Sequence, residues 1–470
     1  MQDGAAFDVV VIGGGVAGAA CAFRLAGAGA HVLVLEREPR FADRVRGDVM
    51  YPWGVAEARR LGLGGVLDAV ARPLRYWQTH VAGLPSPRPR DLAAEDAARR
   101  GAAGAREGAG AGETAVAFFH PELQAALLAA AERAGARVVR GAAATAVLGV
   151  GAPHGDDAGV PDSAAGEAEG VLGGRGKLRV MARAAGTEFE VGARLVIGAD
   201  GRSSRARAWG GFRTLADEER LMFAGVMLEG AAVSSAREPR DTAHVFFAPS
   251  AGLLAMVLPV DERRTRVYGG YHLATGRRRL IGDGAFRELL GLVEAAGVPS
   301  RWLATAKQAG PLAQFSGADT WVSMPYAAGF ALVGDAAAAS DPSFGCGMAL
   351  ALRGARELTD ALLAPGELGA SPATGPAGEP AISFEPAAVD AAGSAYADAT
   401  LHTTGALRRL TGWLRDVYRE PGERADALRA ELWPLFARDP ARVPDVVVAG
   451  PDSPSDAAAR ARFFGDDASR

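Results

Sequence analysis

The sequence predicts an α/β chain in which a Rossmann-like dinucleotide-binding domain is interleaved with a β-rich domain and followed by C-terminal helices. Three observations carry this reading. Residues 7–36 form a strand, glycine loop, helix and strand in order; residues 223–272 are a run of strand patterns; residues 387–438 are patterned as helix.

Residues 7–12 are a short apolar run rich in Val, which breaks into Gly13, Gly15 and Gly18 at G-x-G-x-x-G spacing. Gly13 permits the tight turn, Gly15 lets a pyrophosphate approach the backbone, and Gly18 lets the helix pack close to the strand. The small-residue helix over 19–28 aims unpaired N–H groups and a positive dipole end at the phosphates. A second strand over 31–35 ends at Glu36, whose carboxylate can accept hydrogen bonds from ribose hydroxyls and would repel a 2′-phosphate. Glycine spacing alone says little in a chain with 62 glycines. Strand, loop, helix, strand and terminal acid in that order select a dinucleotide site.

Further along, 121–134 has the pattern of an amphipathic helix, 137–140 of a short strand, and 178–183 and 188–197 of strands. Segments 242–247, 252–260 and 265–272 read as strands, with a hairpin turn at 261–264. A helix is expected over 285–296, a strand entering a glycine-rich turn over 329–333, and helices over 387–438. Stretches 85–113, 150–176 and 364–386 lose hydrophobic periodicity and fill with Gly, Ala, Pro and charge, so they read as surface insertions or mobile loops.

At 470 residues the chain has room for two or three cores. A formal net charge of −4 suggests no nucleic-acid surface, and the basic residues are almost all arginine, with Lys177 and Lys307 the only lysines. The two cysteines, Cys21 and Cys346, make neither a disulfide framework nor a metal-ligand spacing, which suits a reducing cytoplasm. The N-terminal apolar stretch lacks a basic flank and is interrupted by the glycine loop, so it reads as neither signal peptide nor membrane span.

Two further motifs stand out. In 195–207 an apolar strand runs into Asp200-Gly201, and Ser204 and Arg207 complete a D-G-x-x-S-x-x-R pattern. In 329–348 a strand ends in Gly334-Asp335, followed by Pro342, Gly345 and Gly347 before a helix of small and apolar residues. Together with the glycine loop, these resemble the three fingerprints of the group A FAD-dependent monooxygenases, the p-hydroxybenzoate hydroxylase-like aromatic hydroxylases. The resemblance spans about residues 7–363.

The resemblance implies a discontinuous FAD-binding domain from 1–75, 115–210 and 325–363, and a substrate-binding domain from 76–114 and 211–324. A flexible linker over 364–386 and a C-terminal helical region over 387–470 would follow. FAD contacts are implied for Gly13, Gly15, Gly18, Glu36, Arg46, Gln124, Asp200, Asp335, Gly347 and Met348. Asp335 would bind a ribityl hydroxyl, and Pro342 and Gly345 would form the flavin-ring environment, with no side-chain nucleophile. The turn at 345–348 opens a helix whose N–H groups would face the ring, favouring its anionic reduced form by roughly 0.3–1 kcal/mol. Asp200 mainly braces its loop and, in the family, also touches cofactor or nicotinamide; Arg207 reads as structural, and Cys346 as a small buried filler. Substrate-wall candidates are His244, Phe246, Tyr268 and Tyr271, with core packing the competing reading for each. Period-two alternation puts His244 and Phe246 on one face.

The implied activity takes hydride from NAD(P)H and reacts with O2. A flavin C4a-hydroperoxide, shielded from water, then hydroxylates or epoxidises a small aromatic or polyketide-like substrate. No metal is called for, and a homodimer is left open. The chain departs from the family at Ala338, where His is frequent, and at His120, where an Arg often opens the helix carrying Gln124. The resemblance therefore carries no pyrophosphate contact to position 120. An FAD-dependent reductase or dehydrogenase of isoprenoid or polyketide type is the alternative on the same scaffold. A flavin-dependent halogenase fits less well: no lysine precedes Lys177, and W-V-S-M-P at 321–325 matches only half of that family's W-x-W-x-I-P stretch. No second dinucleotide fingerprint and no C-x-x-C dithiol appear, which argues against a disulfide reductase with a separate NAD(P)H domain.

Overall fold

A computed structural model of the chain describes residues 4–86, 88–102, 112–150, 178–233, 241–363 and 382–466. Almost all of the expected loop at 150–176, including the glycines at 170–176, and most of 364–386 lie outside the described residues.

The first strand, Ala5–Ile12, sits in the middle of a largely parallel sheet. It pairs in parallel with Val32–Glu36 on one side and Thr187–Gly198 on the other. Arg137–Arg140 and Phe330–Leu332 extend the sheet outward, also in parallel. Strands covered on both faces need apolar residues at every position. Val9 and Val11 accordingly pack into the core containing helix Val16–Gly27, while Val10 and Ile12 join a second core on the opposite face. The three motifs sit just beyond the C-terminal ends of adjacent strands, Ala5–Ile12, Thr187–Gly198 and Phe330–Leu332. That is where an open α/β sheet binds its ligand.

A second, mostly antiparallel sheet is built around Leu221–Glu229, Arg264–His272, Leu253–Pro259 and Thr242–Ala248, with Tyr76–Val81 added in parallel beside Thr242–Ala248. The turn at 261–264 closes with Asp261 N–H donating to Arg264 O at 3.2 Å. Alternation gives the sheet two faces. Leu221, Phe223, Val245, Phe247, Met256 and Tyr268 join the core shared with the parallel sheet. Met222, Ala224, Phe246, Ala255, Val267 and Tyr271 pack instead into the core containing helix Ala285–Ala295.

The C-terminal helices form as expected, Pro386–Tyr418 and Glu423–Arg438. The first lies against Gly347–Leu362, and its Thr400 and Thr403 hydroxyls donate to the partly buried Glu357 carboxylate at 2.9 and 2.7 Å. Trp413, Phe436 and Phe463 are buried together as core. No helix among the described residues is long and apolar enough to cross a membrane.

One expectation is corrected. The stretch 85–113 is not simply a loop, because Leu92–Ala102 is a helix. It buries only Leu92 and Asp96, and Asp96 is held by Arg100 at 2.7 Å and the Glu113 amide at 2.8 Å. A helix anchored by one leucine and a buried carboxylate shows no apolar stripe to read.

Candidate functional site

The glycine loop is tightly constrained. Gly13 has φ +103°, and a Cβ there would lie 2.5 Å from the Ala199 carbonyl oxygen, so the first motif rests directly on the second. A Cβ on Gly18 would come within 2.0 Å of the Gly13 oxygen. Gly15 precedes helix Val16–Gly27, and no side chain caps the first turn. The N–H groups there are available to an anion. At Gly15 a Cβ would meet only the Gln124 side-chain amide, at 3.7 Å, so Gln124 flanks this helix start. Glu36 is buried, and its two oxygens accept from the Gly14 amide at 2.7 Å and the Glu38 amide at 2.8 Å. Each oxygen keeps a lone pair for a further donor.

The other motifs converge on Asp335. Its side chain is 37% exposed, and Arg202 approaches it to 4.0 Å. Surrounding protein pushes its carboxyl above the usual range, while Arg202, Arg46, Arg207 and His120 pull it back. Arg207 is buried and donates to three backbone carbonyls, including Ala336 O at 2.8 Å and Arg202 O at 3.2 Å, which stitches the second motif to the third. Asp200 Oδ2 accepts from the amides of Arg205 and Ala206 at 2.7 and 3.1 Å, bracing the loop as the sequence suggests. Its Oδ1 is buried with no protein partner among the described residues.

Arg46 lies 4.9 Å over the Phe315 ring. Gly47, with φ +68°, leaves just enough room for its neighbours, since a Cβ would stand 3.1 Å from both His120 Nδ1 and Met348 Sδ. His120 hydrogen-bonds the Gly47 oxygen through Nδ1 at 2.8 Å and so serves the loop around Arg46.

Pro342–Phe344 is a single 3-10 turn, capped by Asp341, whose Oδ1 accepts from the Ser343 amide at 2.8 Å and hydroxyl at 2.6 Å. Gly345 follows with φ +63°, and a Cβ there would collide with Tyr51 Oη at 2.7 Å. Gly347 and Met348 then open helix Gly347–Leu362, whose first turn no side chain caps. Cys346 is fully buried beside the Phe344 carbonyl, with burial raising its thiol pKa. This is the packing of a small filler.

Of the four substrate-wall candidates, only Tyr268 faces the parallel sheet. Phe246 and Tyr271 belong to the opposite core, and His244 packs with Trp302 at 4.7 Å, burial driving its pKa down to about 3. Sequence reading missed a buried polar cluster at Tyr268. The Tyr268 hydroxyl donates to Asp48 at 2.6 Å; Arg266 lies 2.9 Å from Asp48 and hydrogen-bonds Asp43 at 2.9 Å. Arg202 and Phe315 were also missed. The spacing of Asp43, Arg44, Arg46 and Asp48, four charges within six residues, was the available signal.

The residues present fit FAD. An uncapped helix start lies behind a glycine turn, an acid ends the second strand, and an orphaned Asp200 oxygen and an accessible Asp335 follow the neighbouring strands. A family model described as "FAD binding domain" matches residues 6–372. The chain belongs to this family, the group A flavin monooxygenases, and is an FAD-dependent oxidoreductase.

Among curated proteins, it is similar to squalene epoxidase ERG1 of Gibberella zeae, 46% identical over 67 residues. That match covers 14% of this chain and 13% of the relative, so it concerns a short segment. Among solved structures, the flavin-dependent brominase Bmp2 superposes with TM-score 0.67 and 14% identity, covering 99% of this chain and 100% of that one. The anhydrotetracycline hydroxylase OxyS from Streptomyces rimosus gives TM-score 0.62 and 20% identity, covering 92% and 73%. At these identities the structural likeness speaks for the fold.

Proposed function

We propose that the chain is an NAD(P)H- and O2-using monooxygenase that hydroxylates or epoxidises a small aromatic or polyketide-like substrate. The observation that carries this is the meeting of Arg46 with Phe315. Arg46 comes from the loop after the nucleotide-binding βαβ unit, and Phe315 sits on a strand of the second sheet, stacked on Phe223 at 5.7 Å. On this reading the cofactor site borders an aromatic cluster in which Phe315 contacts both Phe223 and Tyr268. The chain shares its fold with the anhydrotetracycline hydroxylase OxyS, a scaffold compatible with this reading.

On this reading, residues 1–75, 115–210 and 325–363 bind FAD, and 76–114 with 211–324 close over the substrate. Gly13, Gly15 and Gly18 admit the pyrophosphate, with Gln124 alongside; Glu36 holds the ribose; Asp335 holds the ribityl chain. Arg46, Asp200, Gly347 and Met348 complete the cradle, and Pro342 and Gly345 shape the ring's surroundings. Bound FAD supplies hydride acceptance and oxygen activation; the chain's own residues bind, orient and exclude water. Two buried free cysteines suit a cytoplasmic enzyme. The test is NAD(P)H oxidation and oxygen consumption by the FAD-loaded protein across a panel of aromatic and polyketide compounds. Substrate-dependent oxygen uptake with an oxygenated product supports the reading, and NAD(P)H oxidation without oxygen incorporation turns it towards the reductase.

Halogenation is the less favoured reading, since overlap with a brominase at 14% identity speaks for the shared fold alone. Halide-dependent product formation would select it.

A further inference from the structure

We propose that Arg419, at the end of the long C-terminal helix, is a positioning residue for the flavin-side turn at 342–345. The inference rests on the reading that this turn borders the flavin ring. Arg419 and its partner Asp341 are 5% and 6% exposed and form a buried ion pair through Arg419 Nη1 and Asp341 Oδ2. Asp341 is the residue that caps the Pro342–Phe344 turn: one carboxylate oxygen holds the Ser343 amide and hydroxyl, and the other is held by Arg419. The orientation of the cap is thus fixed from the C-terminal helix, and the cap fixes the turn that leads into Gly345 and the first residues of helix Gly347–Leu362.

The contact is a junction of three parts of the fold. Arg419 also reaches Glu420 at 3.1 Å, and Glu420 lies 3.2 Å from His272 at the end of a strand of the second sheet. Arg429 donates to the Glu420 carbonyl at 2.8 Å and fastens this corner. Arg419 and Glu420 lie beyond residue 372, where the family match ends, so the C-terminal helices reach back to a capping residue inside the matched domain. A residue that merely glued the helix down would have no reason to grip the capping carboxylate. Here the guanidinium holds the side chain that caps the turn.

Arg419→Gln, Arg419→Lys and Asp341→Asn, each loaded with FAD, test this beside two references. Leu414→Ala opens a cavity in the same helix, and Gly345→Ala puts a Cβ inside the turn. The readouts are FAD Kd, the visible flavin spectrum and Tm. Arg419→Gln and Asp341→Asn are expected to weaken FAD binding about tenfold and alter the spectrum. Arg419→Lys should recover most of both, and Leu414→Ala should lower Tm alone. Wild-type Kd and spectrum in Arg419→Gln and Asp341→Asn, with a fall in Tm like that of Leu414→Ala, would overturn the proposal. If Arg419→Gln does not fold, Asp341→Asn, which keeps the acceptor for Ser343, decides between the same two results. An unchanged spectrum in Gly345→Ala would mean that the turn does not border the flavin, a failure of the underlying reading and not of Arg419.

Discussion

The backbone amide of Gly14 donates to Glu36 Oε2 at 2.7 Å across 22 residues of sequence. This bond joins the glycine loop to the acid at the end of the second strand, the two ends of the nucleotide-binding unit. Glu36 shapes the loop, and on the proposed reading it also presents lone pairs to a ribose. Glu36→Ala should weaken FAD binding by roughly 1–3 kcal/mol, the range for hydrogen bonds to a charged group. Titration of FAD into apoprotein measures this, and equal affinity in mutant and wild type would remove Glu36 from the site.

Asp335 stands among arginines and keeps part of its side chain open to solvent. Asp335→Ala should yield a folded protein that loses FAD on gel filtration or turns over poorly, because Arg207 holds the backbone of this turn without help from the Asp335 carboxylate. Full flavin content together with full turnover would misplace the third motif.

Asp319 should govern a pH-dependent part of stability. Burial, and then the neighbouring Asp341, raise its carboxyl pKa to about 6 from 3.8. A raised acid binds its proton more tightly in the folded state, so its contribution is fully present below pH 3.8 and is lost as pH rises through about 6. Asp319→Asn keeps an acceptor for the Asp341 amide and should raise Tm above pH 7 while changing little near pH 4. Denaturation scans across this range check it; an Asn variant less stable at pH 7.5 than wild type would show that the ionised form is favoured.

Of the four wall residues expected from the sequence, Tyr268 is the one on the face towards the parallel sheet, and its hydroxyl is bonded to a buried carboxylate. Burial raises the Asp48 pKa, Arg266 opposes that rise, and the Tyr268 hydrogen bond stabilises the ionised form. Tyr268→Phe should cost about 1–3 kcal/mol of stability by removing that bond. If the residue also lines the substrate pocket, KM changes as well, whereas His244→Ala should affect Tm and not KM. Urea unfolding and steady-state kinetics separate the two effects.

The parallel sheet was legible because its signals are local. Val9 to Ile12 run straight into Gly13, and the steric demands at Gly13 and Gly18 allow little but glycine. The same holds for Gly345, where the turn needs positive φ and Tyr51 leaves no room. The wall was less legible: alternation says that His244 and Phe246 share a face, but which face meets the cofactor depends on how helix Ala285–Ala295 packs, a contact distant in sequence. Long-range polar pairs such as Arg266 with Asp43, or Arg419 with Asp341, leave no periodic trace at all. The Leu92–Ala102 helix escaped for a related reason, its anchor being a buried aspartate.

The most direct test is spectroscopic. Apoprotein titrated with FAD should take up one flavin per chain, show a perturbed visible spectrum, and be bleached anaerobically by NAD(P)H faster when the right aromatic or polyketide compound is present. A folded protein that stays colourless through the titration and retains no flavin would contradict the account at its root.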